Sequence, residues 1–262
     1  MSVVRAKKHL GQHFLTDKNI AKKIVDALQP NGKFKTVLEV GPGMGVLSDF
    51  LLEDTRFDTW LIDVDKESVE FLGHQYESLG DRLIHGDFLA LDFMSRFDGE
   101  MAIIGNFPYN ISSQILFKVL ENRNQVVEVV GMFQKEVAER CTAKPGNKEY
   151  GILSVFLQAY YQVDYLFTVK AGAFNPPPKV LSGVIRLVRN DVQQLDCDEK
   201  LFWKVVKAGF NQRRKTLRNA LSVLVNKDKM IDNALLELRA ERLSVTDFVL
   251  LTNEIEKAQN LK

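Results

Sequence analysis

Residues 36–48 read TVLEVGPGMGVLS, a short apolar run that ends in three glycines and passes into apolar positions at helical spacing. This is the pattern of a buried parallel strand, a tight turn and the start of a helix. Gly41, Gly43 and Gly45 permit positive φ and put no Cβ where a ligand has to lie against the backbone. The next apolar run, DTWLID, closes on Asp63, near the ~20-residue offset at which a nucleoside-binding fold presents a carboxylate to ribose hydroxyls. The spacing is G-x-G-x-G, with neither the dinucleotide G-x-G-x-x-G nor a G-K-[ST] for a triphosphate. Alone, the loop suits an ordinary strand-to-helix turn as well as a cradle. Read with Asp63, it leans towards a nucleoside without a pyrophosphate, a description that S-adenosylmethionine fits.

A chain of 262 residues with 45% hydrophobic content can bury a full α/β core and append a small second domain. No apolar run approaches ~18 residues, and the opening MSVVRAKKHLGQHF carries charges where a signal peptide needs its apolar stretch. A soluble cytoplasmic protein with no membrane association is expected. Cys141 and Cys197 belong to no C-x-x-C pair, so neither a metal site nor a disulfide framework is expected. The net charge of +1 hides an uneven distribution: Glu53 to Glu100 holds thirteen Asp and Glu against four Lys and Arg. The N-terminal stretch and residues 201–221, with Lys204, Lys207, Arg213, Arg214, Lys215 and Arg218 and no acid, are basic. Such asymmetry suits a basic face for a polyanion, or else solvated helix faces.

Along the chain, a basic arm precedes a helix capped by Thr16 or Asp17, with Ile20, Ile24, Val25 and Leu28 on one face. Strands are expected to end at Asp63, near Asp87 in RLIHGDFLALDF, and at EMAIIGNF, followed by VVEVVGMF. In an open parallel sheet, Gly41, Asp63 and Asp87 then meet at the carboxyl edge. VDYLFTV and VLSGVIRLV, joined by AGAFNPPPK, read as an antiparallel pair at the sheet's edge. After about Arg189 charged helices take over. The expected organisation is a Rossmann-like domain over 1–189 and a small all-helical domain over 190–262, with Arg214 and Arg218 on one side of a helix.

Asn106, Phe107, Pro108 and Tyr109 are the most specific signal. An Asn followed by Pro and an aromatic at the end of a parallel strand suits recognition of an exocyclic amine on a flat ring. The side-chain oxygen of Asn106 and the carbonyl of Pro108 can accept the two amine hydrogens, while Tyr109 stacks on the ring. The alkylated nitrogen is cationic and loses its proton readily, so no strong base is needed.

With HLGQHFL, EVGPGMGVL, GDFLALDF, GNFPYNIS, FNPPPKVLSGVIRL and FNQRRKTLRNAL in order around the Asp63 strand, the sequence resembles the ribosomal RNA adenine N6-dimethyltransferase family over nearly its whole length. The resemblance implies an S-adenosylmethionine-dependent enzyme that dimethylates N6 of two adjacent adenosines near the 3′ end of 16S small-subunit rRNA, in an immature 30S subunit, as a monomer. It further implies that His13 and Leu15 close over the cofactor and that Gly41 and Gly43 line it. Asp63 takes the ribose hydroxyls, Asp87 the cofactor's adenine amine, and Asn106 lies between cofactor and target. Phe174 is the implied aromatic opposite Tyr109, and Arg213, Arg214, Lys215 and Arg218 are candidate phosphate contacts. The family more often has Asn at position 13, Glu at 63 and Leu at 107. Two alternatives stand beside this function: an assembly factor with secondary methylation, and a macrolide-resistance-type methylase of large-subunit rRNA.

Overall fold

The apolar runs at residues 36–40, 101–106 and 126–134 become the central strands of one sheet, buried on both faces. The computed structural model describes residues 4–229 and 233–260. Two units form, one from residues up to 138 with 163–189, the other from 139–162 with 190 onwards.

In chain order the strands are β1 (Phe14–Leu15), β2 (Thr36–Val40), β3 (Asp58–Asp63), β4 (Leu83–His85), β5 (Met101–Asn106), β6 (Val126–Gln134), β7 (Tyr161–Val169), β8 (Phe174–Asn175) and β9 (Ser182–Arg189). Seven form the main sheet in the order β4-β3-β2-β5-β6-β9-β7. β2 through β6 pair in parallel, and β9 runs antiparallel to β6. The chain winds outward from β2 to β4, then returns to lay β5 on the other side. The carboxyl ends of β2 and β5 therefore flank the point where winding reverses and a crevice opens. The loop glycines take φ of 69° at Gly41, 58° at Gly43 and 82° at Gly45, and the following helix spans Ser48–Glu53. Asp17 is the cap of the first helix, Lys18–Asp26, accepting from the amides of Asn19 and Ile20.

β2 buries a carboxyl group, Glu39, whose Oε2 accepts the Ser48 hydroxyl at 2.6 Å. Among the described residues its Oε1 has no partner. Burial pushes its pKa from 4.5 to about 8, against the Ser48 bond, and the charges of Asp63 and Asp49 push the same way. The folded chain therefore holds a proton that the unfolded chain releases near pH 4.5. The associated stability is complete below that pH, declines as pH rises towards 8 and is level above it. Glu39→Gln is expected to abolish this decline, so melting temperatures of wild type and variant should diverge from pH 5 to pH 8. Parallel profiles would place the proton elsewhere.

The second unit contains the helices Ile152–Tyr160, Glu199–Asn211, Leu217–Ala220 and Val245–Asn260. Residues 139–162 group with it, although the sequence pattern places the boundary at 189. The reason lies in helix Ile152–Tyr160, which is apolar on most sides and sets Phe156 against Trp203, ring centroids 3.9 Å apart. Phe210 completes the packing between Tyr150 and Phe248. Among the described residues no helix is long and apolar enough to cross a membrane.

Candidate active site

The carboxyl ends of β2, β3 and β5, together with the turn after β4, enclose a cavity of about 360 Å³. Gly41 and Gly43 reach it from the β2 loop, Asp63 from β3, Asp87 from the turn and Asn106, Pro108 and Tyr109 from β5. His13 reaches it from the N-terminal arm. Eight of the residues singled out from sequence thus line one space. Val64, Leu89 and Ile111 give it apolar walls. A Cβ at Gly43 would stand 2.8 Å from the ring of Phe14, so only glycine lets the arm close on this loop.

Asp63 is 5% exposed; its Oδ2 accepts the Gly43 amide at 3.3 Å and its Oδ1 the Asp65 amide at 2.9 Å. Burial raises its pKa, opposed by those amides. Asp87 caps the short turn Phe88–Ala90 through the Leu89 amide. Asp65 anchors the arm: its carboxylate meets Lys7 Nζ at 2.5 Å and Gln12 Nε2 at 3.1 Å. Against its burial, those two donors hold the Asp65 pKa below the usual carboxylate value, and Asp65 in turn raises that of Lys7. Lys7, part of the basic N-terminal stretch, is therefore spent on fastening the arm.

Asn106 donates from Nδ2 to the carbonyl of His13 at 2.7 Å. That bond fixes which way the amide faces, and among the described residues no donor meets its Oδ1. His13 Nδ1 lies 2.8 Å from the carbonyl of Pro176, a geometry that requires the proton on Nδ1, and its ring centroid is 5.5 Å from that of Tyr109. The Tyr109 hydroxyl bonds Ser182 Oγ at 2.5 Å, which sets the ring's orientation. Burial raises the Tyr109 pKa, so the phenol stays neutral. Pro108 departs from expectation: its carbonyl accepts the Ile111 amide at 3.3 Å and shares the Ser112 hydroxyl with the Tyr109 carbonyl, at 3.3 and 3.2 Å. The neighbouring Phe107 carbonyl meets no donor among the described residues. The Phe107 ring packs beside Gly105, Gly131 and Phe133 and the residue is 1% exposed, so its contribution to the cavity wall is backbone.

Phe174 also departs from expectation. It is 4% exposed and does not line the cavity: β8 pairs with β1, so that Phe174 faces Leu15 in the apolar cluster beneath the arm. The aromatic ring nearest Tyr109 on the arm side is His13. Leu15 is likewise buried, yet it lines a smaller recess with Gly41, Met44 and Asn106. In the second unit, Arg213 donates to the carbonyls of Lys148 and Tyr150, and Arg218 pairs with Glu237 at 2.6 Å. The helix ends at Asn211 and the next begins at Leu217, so Arg214 and Arg218 do not share a helix face. Arg214 and Lys215 are exposed.

The family model for ribosomal RNA adenine dimethylase matches residues 3–257. The chain belongs to that family. "Ribosomal RNA small subunit methyltransferase A" of Cytophaga hutchinsonii is 58% identical over 97% of this chain and 98% of its own, and the protein of that name from Flavobacterium johnsoniae is 54% identical over 98% of each. Among solved structures, a dimethyladenosine transferase from Plasmodium falciparum superposes with a TM-score of 0.77, at 25% identity over 94% of this chain and 98% of that one. The 23S rRNA methyltransferase ErmE shares the fold, with a TM-score of 0.67 at 21% identity, over 93% and 99%. As an adenine dimethylase the chain is an RNA-modifying enzyme of Rossmann-like fold. Among the described residues no group of His, Cys, Asp and Glu is placed to hold a metal ion.

Three groups at or behind the cavity's wall escape the sequence pattern. Ser182 sits inside the FNPPPKVLSG motif but has no polar neighbour in sequence to mark it. The Phe107 carbonyl has no side-chain signature. The Asp65 anchor belongs to an Asp-Val-Asp run in which only the first carboxylate stands at the strand's end.

Proposed function

We propose that this enzyme, working as a monomer in the cytoplasm, uses S-adenosylmethionine to dimethylate N6 of two adjacent adenosines near the 3′ end of small-subunit rRNA within an immature 30S particle. The observation that carries the reading is the Asn106 amide, turned by its bond to His13 so that Oδ1 is left as an acceptor at the cavity. An adenine amine is a poor nucleophile because its lone pair is delocalised into the ring. Acceptance of its hydrogens by Asn106 Oδ1 and the Phe107 carbonyl localises that pair on nitrogen. Tyr109, held by Ser182, provides the flat face on which the base is fixed.

The cavity's lining fits the cofactor in chemistry: a glycine loop with no Cβ in the way, a carboxylate at Asp63, a second at Asp87 and apolar walls between them. When bound, S-adenosylmethionine supplies a sulfonium-activated methyl group. Asp63 would hold the ribose hydroxyls and Asp87 the adenine amine, with Gly41 and Leu15 at the methionine end. Asp63→Ala leaves the Gly43 and Asp65 amides unpaired and removes the ribose acceptor. Calorimetry should therefore show S-adenosylmethionine binding weakened by roughly 10- to 100-fold, the worth of one or two charge-assisted hydrogen bonds. Unchanged affinity would remove Asp63 from the site.

Arg214 and Lys215 are exposed and, among the described residues, their side chains meet no partner, which makes them the better candidates for phosphate contact. Arg213 and Arg218 are partly committed to the fold of their own unit. Replacing Arg214 and Lys215 by Gln should weaken RNA binding and lower the slope of log K against log salt by about one to two. An unaltered slope would assign both residues to solvent.

A further inference from the structure

The segment between Pro176 and Ser182 is pinned at both ends to the cavity's rim. Pro176 is held by the His13 imidazole, 2.8 Å away, and Ser182 by the Tyr109 hydroxyl at 2.5 Å. Between these anchors run Pro177 and Pro178, whose rings fix φ and make the loop a strut. Beyond them Lys179 is exposed, and Val180 and Leu181, two large aliphatic residues, remain 45% and 41% exposed. No acidic residue occurs from Tyr165 to Asn190. A rigid, acid-free loop that presents two adjacent aliphatic side chains is unsuited to water and suited to the faces of nucleobases next to a phosphate chain.

The geometry points to a wedge: Val180 and Leu181 occupy the gap that the target adenosine leaves in the RNA stack, with Lys179 against the adjoining phosphate. This rests on the adenosine-transfer function proposed above and assigns it a way of holding the base out. A base entering a slot walled by Tyr109 gives up its stacking, at a cost of about a few kcal/mol, and aliphatic side chains placed against the neighbouring base recover part of that cost. The strut's two anchors tie the wedge to the same His13 and Tyr109 that form the slot, so entry of the base and filling of the gap are coupled by position.

The test uses undermethylated small subunits carrying 2-aminopurine at a target adenosine, whose fluorescence rises when it unstacks, and methylation of unsubstituted subunits in parallel. Val180→Ser/Leu181→Ser should melt at the wild-type temperature and bind S-adenosylmethionine unchanged. It should lose most of the fluorescence rise and about tenfold in kcat/KM, a loss equivalent to ~1.4 kcal/mol. Val180→Ser/Leu181→Phe, which restores an apolar face, should recover both signals. Asn106→Ala, which leaves Val180, Leu181 and the Tyr109–Ser182 anchor in place but frees the His13 carbonyl, should keep part of the fluorescence rise while losing methylation. A double serine variant with wild-type fluorescence and rate would overturn the wedge while leaving the transfer function standing. No rise with the wild-type enzyme would instead defeat base extrusion itself, and the wedge with it. A loss of particle binding with normal extrusion in the bound fraction would assign the pair to a protein surface and also overturn the wedge.

Discussion

Asn106→Ala lowers the rate of methyl transfer by on the order of 10³-fold, as loss of a preorganised hydrogen-bonding group at a reacting atom does elsewhere. The expected loss has two sources. The variant removes the acceptor facing the cavity, and it frees the His13 carbonyl from the bond that holds the arm against β5. Cofactor binding is expected to survive within about tenfold, because the arm keeps its second anchor at Asp65 and the carboxylates at Asp63 and Asp87 are untouched. Asn106→Asp separates the two sources: it keeps an acceptor but replaces the amide donor that His13 needs with a carboxylate. Single-turnover transfer with calorimetry on both variants is the measurement. Alanine turnover within tenfold of wild type would remove the amine-polarising role.

Gly131→Ala is expected to destabilise the fold strongly even though the change is one methyl group. A Cβ there would stand 2.2 Å from the Phe107 ring, which itself packs against Phe133 and beside Gly105. Overpacking a close-packed core costs about 1–3 kcal/mol when neighbours can give, and more when they cannot. Here the neighbour carries Asn106 and Pro108 on either side, so any relief moves the site. Phe107→Leu removes most of the ring, and the double variant Gly131→Ala/Phe107→Leu should recover most of the lost stability and much of the activity. Denaturant unfolding of the four proteins gives the coupling energy. Additive effects would show that the ring and the glycine do not share one space.

The Phe107 ring is housed by a glycine on the adjacent strand. That fit is invisible in the NFPY motif, because position 131 lies across a strand pair and 24 residues away in a run that reads only as β-branched and apolar. The same limit governs the other differences. Alternating apolar runs and loop glycines were enough to place the parallel strands and to bring Gly41, Asp63, Asp87 and Asn106 to one edge, because strand polarity dictates where carboxyl ends meet. Residue spacing could not place Phe174, whose burial depends on the two-residue β1–β8 pairing, too short to leave a pattern. It could not separate Arg213, which donates to carbonyls within the second unit, and Arg218, which pairs with Glu237, from the exposed Arg214. Nor could it assign residues 139–162, since an apolar helix matches either core until its aromatic partners are known.

The most direct measurement is incubation of the wild-type chain with methyl-labelled S-adenosylmethionine and undermethylated small ribosomal subunits, followed by digestion of the RNA to nucleosides. Label should accumulate in N6,N6-dimethyladenosine, at up to four methyl groups per particle if two adjacent adenosines are each modified twice. Label confined to another nucleoside, or dimethyladenosine formed equally well when Asn106 is alanine, would contradict an amine held by that amide in the cavity between β2 and β5.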